Sequence, residues 1–365
     1  MSKSIDIPAH LRIERGAIHH LSSPDIYSWI KGRKITVITG NSQTRTVTDK
    51  VLEQVPFDPL LYHILHCHDN SLDVINQLER QCLESGTEVI IGIGGGKVLD
   101  IAKVVGTRLK APIILLPTAI SSDAICSPVA VIKLKDKKTS LGVSMPKAVL
   151  IDLDILVSSP NRLCIAGFGD LLSNKTAIFD WKLAHQANKD TMDTFASLMA
   201  NNAVEAFLNV INNQSLSEET LLRVSAESLV MSGIAMSVAG SSRPCSGAEH
   251  LISHALDYYC GGKALHGEQV ALGVLIAQYL QKEYGNQEDL TPAFQQLGLP
   301  MHFKDLGYTK EEIKLAISKA PNMRNRYTIL NEFSLNDKQL NQLIHDVFEF
   351  GETSKAKTAF GFTGR

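Results

Sequence analysis

Four short, largely apolar runs constrain what this chain can fold into: 35–39 (ITVIT), 88–93 (EVIIGI), 113–116 (IILL) and 148–151 (AVLI). Continuous rather than alternating hydrophobicity means burial on both faces, as in a parallel sheet covered by helices. Between them, 71–85 (SLDVINQLERQCLES) spaces its apolar residues for a helix, and 97–109 begins another. This strand–helix–strand repetition predicts a doubly wound α/β domain. Residues 127–145 read instead as a hairpin around the polar turn KDKKTS.

After about residue 155 strand-like runs stop. Amphipathic stretches follow at 165–187, 191–212, 216–239, 246–260 and 266–284. Ser215 with Glu218, and Thr309 with Glu312, stand at capping-box spacing. The break falls at Ser158-Ser159-Pro160. The expected division is therefore an α/β domain over 1–157 and an all-helical domain over 158–365.

Composition narrows the function. The chain has 365 residues, which exceeds one typical domain. Lys and Arg number 36 against 38 Asp and Glu, so no strongly basic footprint marks a nucleic-acid binder. Aromatic residues are only 6%, too few for stacking single strands. The six cysteines form no Cys-x-x-Cys pair, which fits reduced thiols better than a disulfide framework. The start (MSKSIDIPAHLRIERG) has no apolar signal-peptide core, and no run of 18 uninterrupted apolar residues occurs. A cytoplasmic protein without a membrane span, acting on a small molecule and not on nucleic acid, is expected.

Gly92-Ile-Gly94-Gly95-Gly96-Lys97 follows one apolar run directly and leads into VLDIAKVVG. Glycines let a backbone approach a ligand, and a new helix offers free amides and a positive dipole end, which suits a pyrophosphate. The pattern departs from the common dinucleotide fingerprint, whose last glycine is here Lys97. A tight strand-to-helix turn that merely needs small residues explains it equally simply. Pro117-Thr118 to Ser121-Ser122-Asp123 closes the next apolar run, where open α/β sheets bind ligands.

In the helical half, Asp170 ends GFGD, His250 and His254 stand four apart on one helix face, and His266 follows the Gly261-Gly262 turn. One carboxylate and two imidazoles make a plausible three-ligand metal site with a position open for substrate. Buried histidines that only hydrogen-bond are the plain alternative. His63, His66, Cys67 and His68 look denser, but adjacent strand residues point to opposite faces and do not converge.

The motifs GGGKVLDIAK, PTAISSDAICSP, GFGDLLSNKTAIFDWK, SRPCSGAEHLISHALD and ALHGEQVALG occur in the order found in the iron-containing alcohol dehydrogenase and dehydroquinate synthase-like superfamily. Within it the chain most resembles the glycerol-1-phosphate dehydrogenase family, through GFGDLLSN…DWKLAH, SSRP…SGAEH…SH and RNRYTIL at 324–330. The resemblance covers about residues 10 to 335.

The resemblance implies a nucleotide-binding α/β domain and a helical domain holding one divalent metal. Asp170, His250 and His266 match the metal ligands, and His254 matches an active-site histidine that is not a ligand. Gly94, Gly95, Gly96 and Lys97 match the pyrophosphate loop, followed by Asp100. Thr118, Ser121, Ser127 and Val129 match positions near the nicotinamide, and Asp123 matches a substrate-side carboxylate. Relatives strict for NAD carry an acidic residue after the first strand. Here that place reads Thr39-Gly40-Asn41, with Arg45 nearby, so NADP is expected beside NAD. Asn174 stands where iron-dependent alcohol dehydrogenases have a third histidine, which puts zinc first, with nickel or iron as the other choices.

The implied activity is hydride transfer between a nicotinamide and dihydroxyacetone phosphate, giving glycerol 1-phosphate for phospholipid biosynthesis, in a homo-oligomer. His254, or a water held by Asp123, would relay the proton. Lys175 and Arg243 are the candidates for the substrate phosphate. Three other readings remain: dehydrogenase of another polyol such as glycerol, sugar-phosphate cyclase of the dehydroquinate synthase type, and non-catalytic nucleotide-binding protein. A cyclase would leave the NADH band unchanged over turnover, and a non-catalytic relative would purify without metal.

Overall fold

The computed structural model describes residues 5–41, 43–55, 58–135, 137–212 and 216–349. Its strands, in chain order, are β1 (His10–Glu14), β2 (Ile35–Gly40), β3 (Tyr62–Cys67), β4 (Val89–Gly94), β5 (Ile113–Pro117), β6 (Val129–Leu134), β7 (Lys137–Gly142) and β8 (Ala148–Asp152). Six of them form one sheet in the order β1-β8-β5-β4-β2-β3, every pair parallel. All four apolar runs are strands; β4, β5 and β8 are buried end to end and β2 up to its last residue, Gly40, as two covered faces require. Two strands, β1 and β3, lack that signal; both are edges of the sheet and are mostly half-buried. β6 and β7 form the expected antiparallel hairpin.

Chain direction decides where a ligand goes. After β2 the chain moves to β3 on one side, and after β4 it moves to β5 on the other. The carboxyl ends of β2 and β4 therefore flank the switch point of the sheet, where open α/β folds leave a crevice.

Contacts divide the chain into two units: Met1–Pro160 with Ser217–Val238, and Asn161–Leu216 with Ala239–Arg365. This differs from a single cut at 157/158, because the helix Glu218–Ala239 groups with the α/β unit. The reason is local: a side chain at Gly233 would lie 1.6 Å from the Cys126 carbonyl oxygen, so the helix backbone rests directly on the segment before β6. By length and composition this helix could cross a membrane, but 67% of its most apolar stretch is buried inside the protein, as in a core helix. Ser215 lies outside the described residues; Ser217 accepts from the Thr220 amide in that turn.

The second unit is helical. Its principal helices are Asn161–Gln186, Thr194–Ile211, Ala248–Tyr259, His266–Lys282 and Lys310–Lys319. Thr309 and Glu312 close the expected reciprocal cap on the last of these. All six cysteines are buried and unbridged.

Candidate functional site

In the α/β unit, β4 ends at Gly94, and the helix Gly96–Leu109 starts with Gly95 as its N-cap. No side chain caps this helix, so its first amides face outward from a positive dipole end. A side chain at Gly95 would meet nothing within 4 Å, whereas one at Gly94 would strike Val98 at 2.6 Å. Gly94 is therefore needed for packing, and Gly95 borders open space of the kind a pyrophosphate needs. Around it stand Thr118, whose amide donates to the Gly94 carbonyl at 3.0 Å, and Ser121 and Ser122 beside Gly96. Gly40 ends β2 alongside, followed by exposed Asn41. The loop thus gathers Gly40, Asn41, Gly94, Gly95, Gly96, Lys97, Thr118 and Ser121.

Asp100, Ser127 and Val129 belong to a different arrangement. Lys103, fully buried, pairs with Asp100 at 3.0 Å and donates to Ser127 Oγ at 3.2 Å and to the Val129 carbonyl at 2.6 Å. Asp100 also accepts from the Val131 amide. These four residues fasten the start of β6 to the helix, a structural task for Asp100. Lys103 escaped the sequence reading, although its place three residues after Asp100 in an apolar helix was a usable signal. Asp123 opens a short 3₁₀ turn capped by Ser122, in the same unit.

In the helical unit, three helices bring Asp170, His250 and His266 together, with one ligand atom from each within 4.8 Å of the others. The close approach depends on glycine. A side chain at Gly267 would lie 1.8 Å from the Ala166 carbonyl oxygen, and one at Gly169 would lie 2.4 Å from the Gly267 carbonyl oxygen. Backbones therefore touch where the helices Asn161–Gln186 and His266–Lys282 cross, one residue from Asp170 and from His266. Glu268 fixes the turn before His266: it accepts from the Leu265 amide at 2.9 Å and from Arg162 at 2.6 and 2.8 Å.

Both imidazoles turn Nε2 toward Asp170 Oδ1, at 3.4 Å for His250 and 3.6 Å for His266. Two ligand atoms each about 2.1 Å from a tetrahedral ion lie about 3.4 Å apart, so the spacing fits a metal such as zinc. The remaining nitrogens are engaged as orienting partners of ligands usually are. His250 Nδ1 faces Glu249 Oε1 at 3.0 Å, and His266 Nδ1 faces Ser253 Oγ at 3.4 Å. Burial opposes charge on His250, but hydrogen bonds with Asp170 and Glu249 outweigh it and raise its pKa to about 9. An incoming cation has to displace that proton, which makes metal binding pH-dependent. His254, one turn after His250, stands with its ring 6.3 Å from that of His266.

The two phosphate candidates fare differently. Lys175 is buried with its ammonium on Glu205 and, at 3.0 Å, on Glu288, so two carboxylates already neutralise it. The structure offers no support for Lys175 as a phosphate ligand. Arg243 is gripped by Asp190 at 2.6 Å.

Residues 12–160 match the family model for iron-containing alcohol dehydrogenases. A glycerol-1-phosphate dehydrogenase of Hyperthermus butylicus, named for NAD(P)+, is 36% identical over 338 residues, covering 92% of this chain and 95% of that protein. The corresponding protein of Nitrosopumilus maritimus is 32% identical, covering 94% and 96%. Among solved structures, glycerol dehydrogenase from Schizosaccharomyces pombe shares the fold, with a TM-score of 0.73 at 23% identity, over 96% of this chain and 91% of that one. The chain belongs to the glycerol-1-phosphate dehydrogenase family of the iron-containing alcohol dehydrogenases.

Proposed function

We propose that this protein is a metal-dependent, NAD(P)-linked glycerol-1-phosphate dehydrogenase, interconverting dihydroxyacetone phosphate and glycerol 1-phosphate by hydride transfer. The observation that carries the reading is similarity to such dehydrogenases over more than nine tenths of both chains. The converging Asp170, His250 and His266 and the open space beside Gly95 support it.

When bound, the nicotinamide supplies or takes the hydride, and the divalent metal polarises the carbonyl oxygen. Asp170, His250 and His266 would hold that metal, with zinc ahead of nickel or iron for a set of one carboxylate and two imidazoles. Glu249 keeps His250 oriented by accepting from its Nδ1, which reserves Nε2 for the ion. The outward amides at Gly96 and Lys97, with Gly95 leaving space, would receive the cofactor pyrophosphate, and Thr118 and Ser121 would border it. With Gly40 and Asn41 in place of an acidic residue after β2, nothing there repels a 2′-phosphate, which supports use of NADP as well as NAD. His254 is the candidate to give or take the proton of the hydroxyl, with Asp123 on the substrate side. Cytoplasmic location and a homo-oligomeric state complete the reading.

The test is oxidation of NADH and NADPH with dihydroxyacetone phosphate beside unphosphorylated dihydroxyacetone, with metal analysis of the same sample. Turnover with the phosphorylated ketone, lost on chelation and regained with zinc, is expected. Turnover of dihydroxyacetone alone would point to a glycerol dehydrogenase instead.

A further inference from the structure

Behind His250 stands a carboxylate, Glu249, whereas behind His266 stands the hydroxyl of Ser253, at 3.4 Å. A carboxylate accepts, but a hydroxyl both donates and accepts and turns about its own bond. By itself Ser253 therefore does not fix which nitrogen of His266 carries the proton. Ser253 is buried, and so are Gln269 and Tyr308, which continue the network away from the ligand. Gln269 Nε2 lies 3.3 Å from Ser253 Oγ and from the Ser253 carbonyl oxygen, and 3.1 Å from Asp257 Oδ1. The Tyr308 hydroxyl lies 2.6 Å from Gln269 Oε1 and accepts from the Lys263 amide at 2.8 Å.

The polarity of this network follows from what each group can do. The Ser253 carbonyl only accepts, so it requires the amide hydrogens of Gln269. The oxygen of Gln269 then faces Tyr308, which donates to it and keeps a lone pair for the Lys263 amide. Ser253 Oγ receives a hydrogen from Gln269 and has a second acceptor site left for His266 Nδ1. Tyr308 also holds the turn by which the chain reaches His266. Lys263, three residues before it, lays its ammonium 5.4 Å from the centre of the Tyr308 ring. The same ammonium donates to the Gly307 carbonyl at 3.1 Å and pairs with Glu312, which closes the Thr309 cap, at 2.7 Å. The start of the helix Lys310–Lys319 thus grips both the approach to His266 and, through Gln269, its partner.

We propose that Tyr308 and Gln269 are positioning residues for His266: they hold Ser253 Oγ as the acceptor of its Nδ1 proton and so reserve Nε2 for a metal ion. This rests on the reading that Asp170, His250 and His266 hold a divalent metal. A neutral imidazole that coordinates through Nε2 has its one proton on Nδ1, where it can only donate. Ser253 must then accept, and the hydrogen from Gln269 keeps its oxygen turned to that task. The two histidines are therefore oriented by different means, one by an adjacent carboxylate and the other by a neutral relay that ends at Tyr308.

The test measures zinc affinity, by competition with a chelating dye at one pH, for wild type, Tyr308→Phe, Ser253→Ala and the double variant. Tm of each metal-free protein is recorded beside it. Tyr308→Phe keeps the ring and removes one hydroxyl, and it should weaken zinc binding about tenfold. Ser253→Ala should weaken it at least as much. The double variant should bind zinc within about twofold of Ser253→Ala alone, because residues that act through one network do not add. A merely structural role for Tyr308 would instead lower Tm and let the two losses multiply, which overturns the proposal. Zinc binding by Tyr308→Phe within about twofold of wild type also overturns it, and the metal reading then stands. If Tyr308→Phe does not fold, Gln269→Met takes its place in the same comparison under the same criteria. A wild type that binds no zinc overturns the metal reading, and the positioning role with it.

Discussion

The glycine loop of the α/β unit offers backbone: amides at a helix start, small residues, and space beside Gly95. The Asp170 group of the helical unit offers side chains from three helices, brought together by Gly169 and Gly267 and oriented by Glu249, Ser253 and Glu268. A backbone site depends on what is missing, since any side chain there takes the ligand's place. A side-chain site depends on what stands behind it, since each ligand needs a partner to aim it. Mutations should therefore damage the two in opposite ways, the first in cofactor affinity without loss of stability, the second in stability and metal together.

Among the substitutions at the two sites, the largest effect is expected for Gly267→Ala. Its methyl would collide with the Ala166 carbonyl oxygen, so the helix crossing has to open. We expect a loss of about 3 kcal/mol and of bound metal, read by thermal unfolding and metal analysis. A variant with normal metal content and Tm would break the claim that backbone contact builds this site. Next is Glu249→Gln, which replaces the carboxylate facing His250. Metal affinity should fall about 10- to 100-fold, measured by competition with a chelating dye.

The same logic gives Gly95→Ala the opposite profile. Gly95 has φ of −80° and open space around it, so stability should stay within about 0.5 kcal/mol of wild type. If the loop receives the cofactor pyrophosphate as proposed, KM for NADH and NADPH should nevertheless rise about tenfold, as the methyl enters that space. An unchanged KM would mean that the loop is only a tight turn.

A separate, pH-dependent effect concerns the buried carboxyl of Asp180 in the helical unit. Burial and the neighbouring Glu249 push Asp180 up to about 7 from an ordinary 3.8, against the pull of the amides of Ala248 and Ile329 and of Gln281. A raised carboxyl pKa means that the folded state favours the proton. The stabilisation is complete below about 3.8 and is lost as pH rises through about 7. The Tm of Asp180→Asn minus that of wild type should therefore grow across this window and level off above it. A flat difference would show that Asp180 ionises as readily folded as unfolded.

The runs that became β2, β4, β5 and β8 were legible because strands covered on both faces are mostly apolar, with the few buried polar groups, Thr36, Thr39 and Asp152, each hydrogen-bonded. β1 (HLRIE) and β3 (YHILHC) were not, because edge strands keep one flank wet and carry histidine and arginine. The helix Glu218–Ala239 was legible as a helix but not as a partner of the α/β unit. That grouping comes from the contact of Gly233 with the Cys126 backbone, which no periodicity encodes. Lys175 and Arg243 looked alike as cations near motifs. Only their neighbours differ: two carboxylates around Lys175, and one carboxylate, Asp190, with the Tyr327 carbonyl around Arg243.

The sequence by itself determined the class of each unit and the chemical types at each site. Hydrophobic periodicity and glycine placement are local properties, and one chain position suffices to read them. Tertiary structure alone decided which residues come together: Asp170 with His250 and His266 across a glycine contact, and Asp100 with Lys103 as a clamp on β6. The physical reason is that charge and coordination act through space over a few ångströms. Residues far apart along the chain acquire those distances only when the backbones pack.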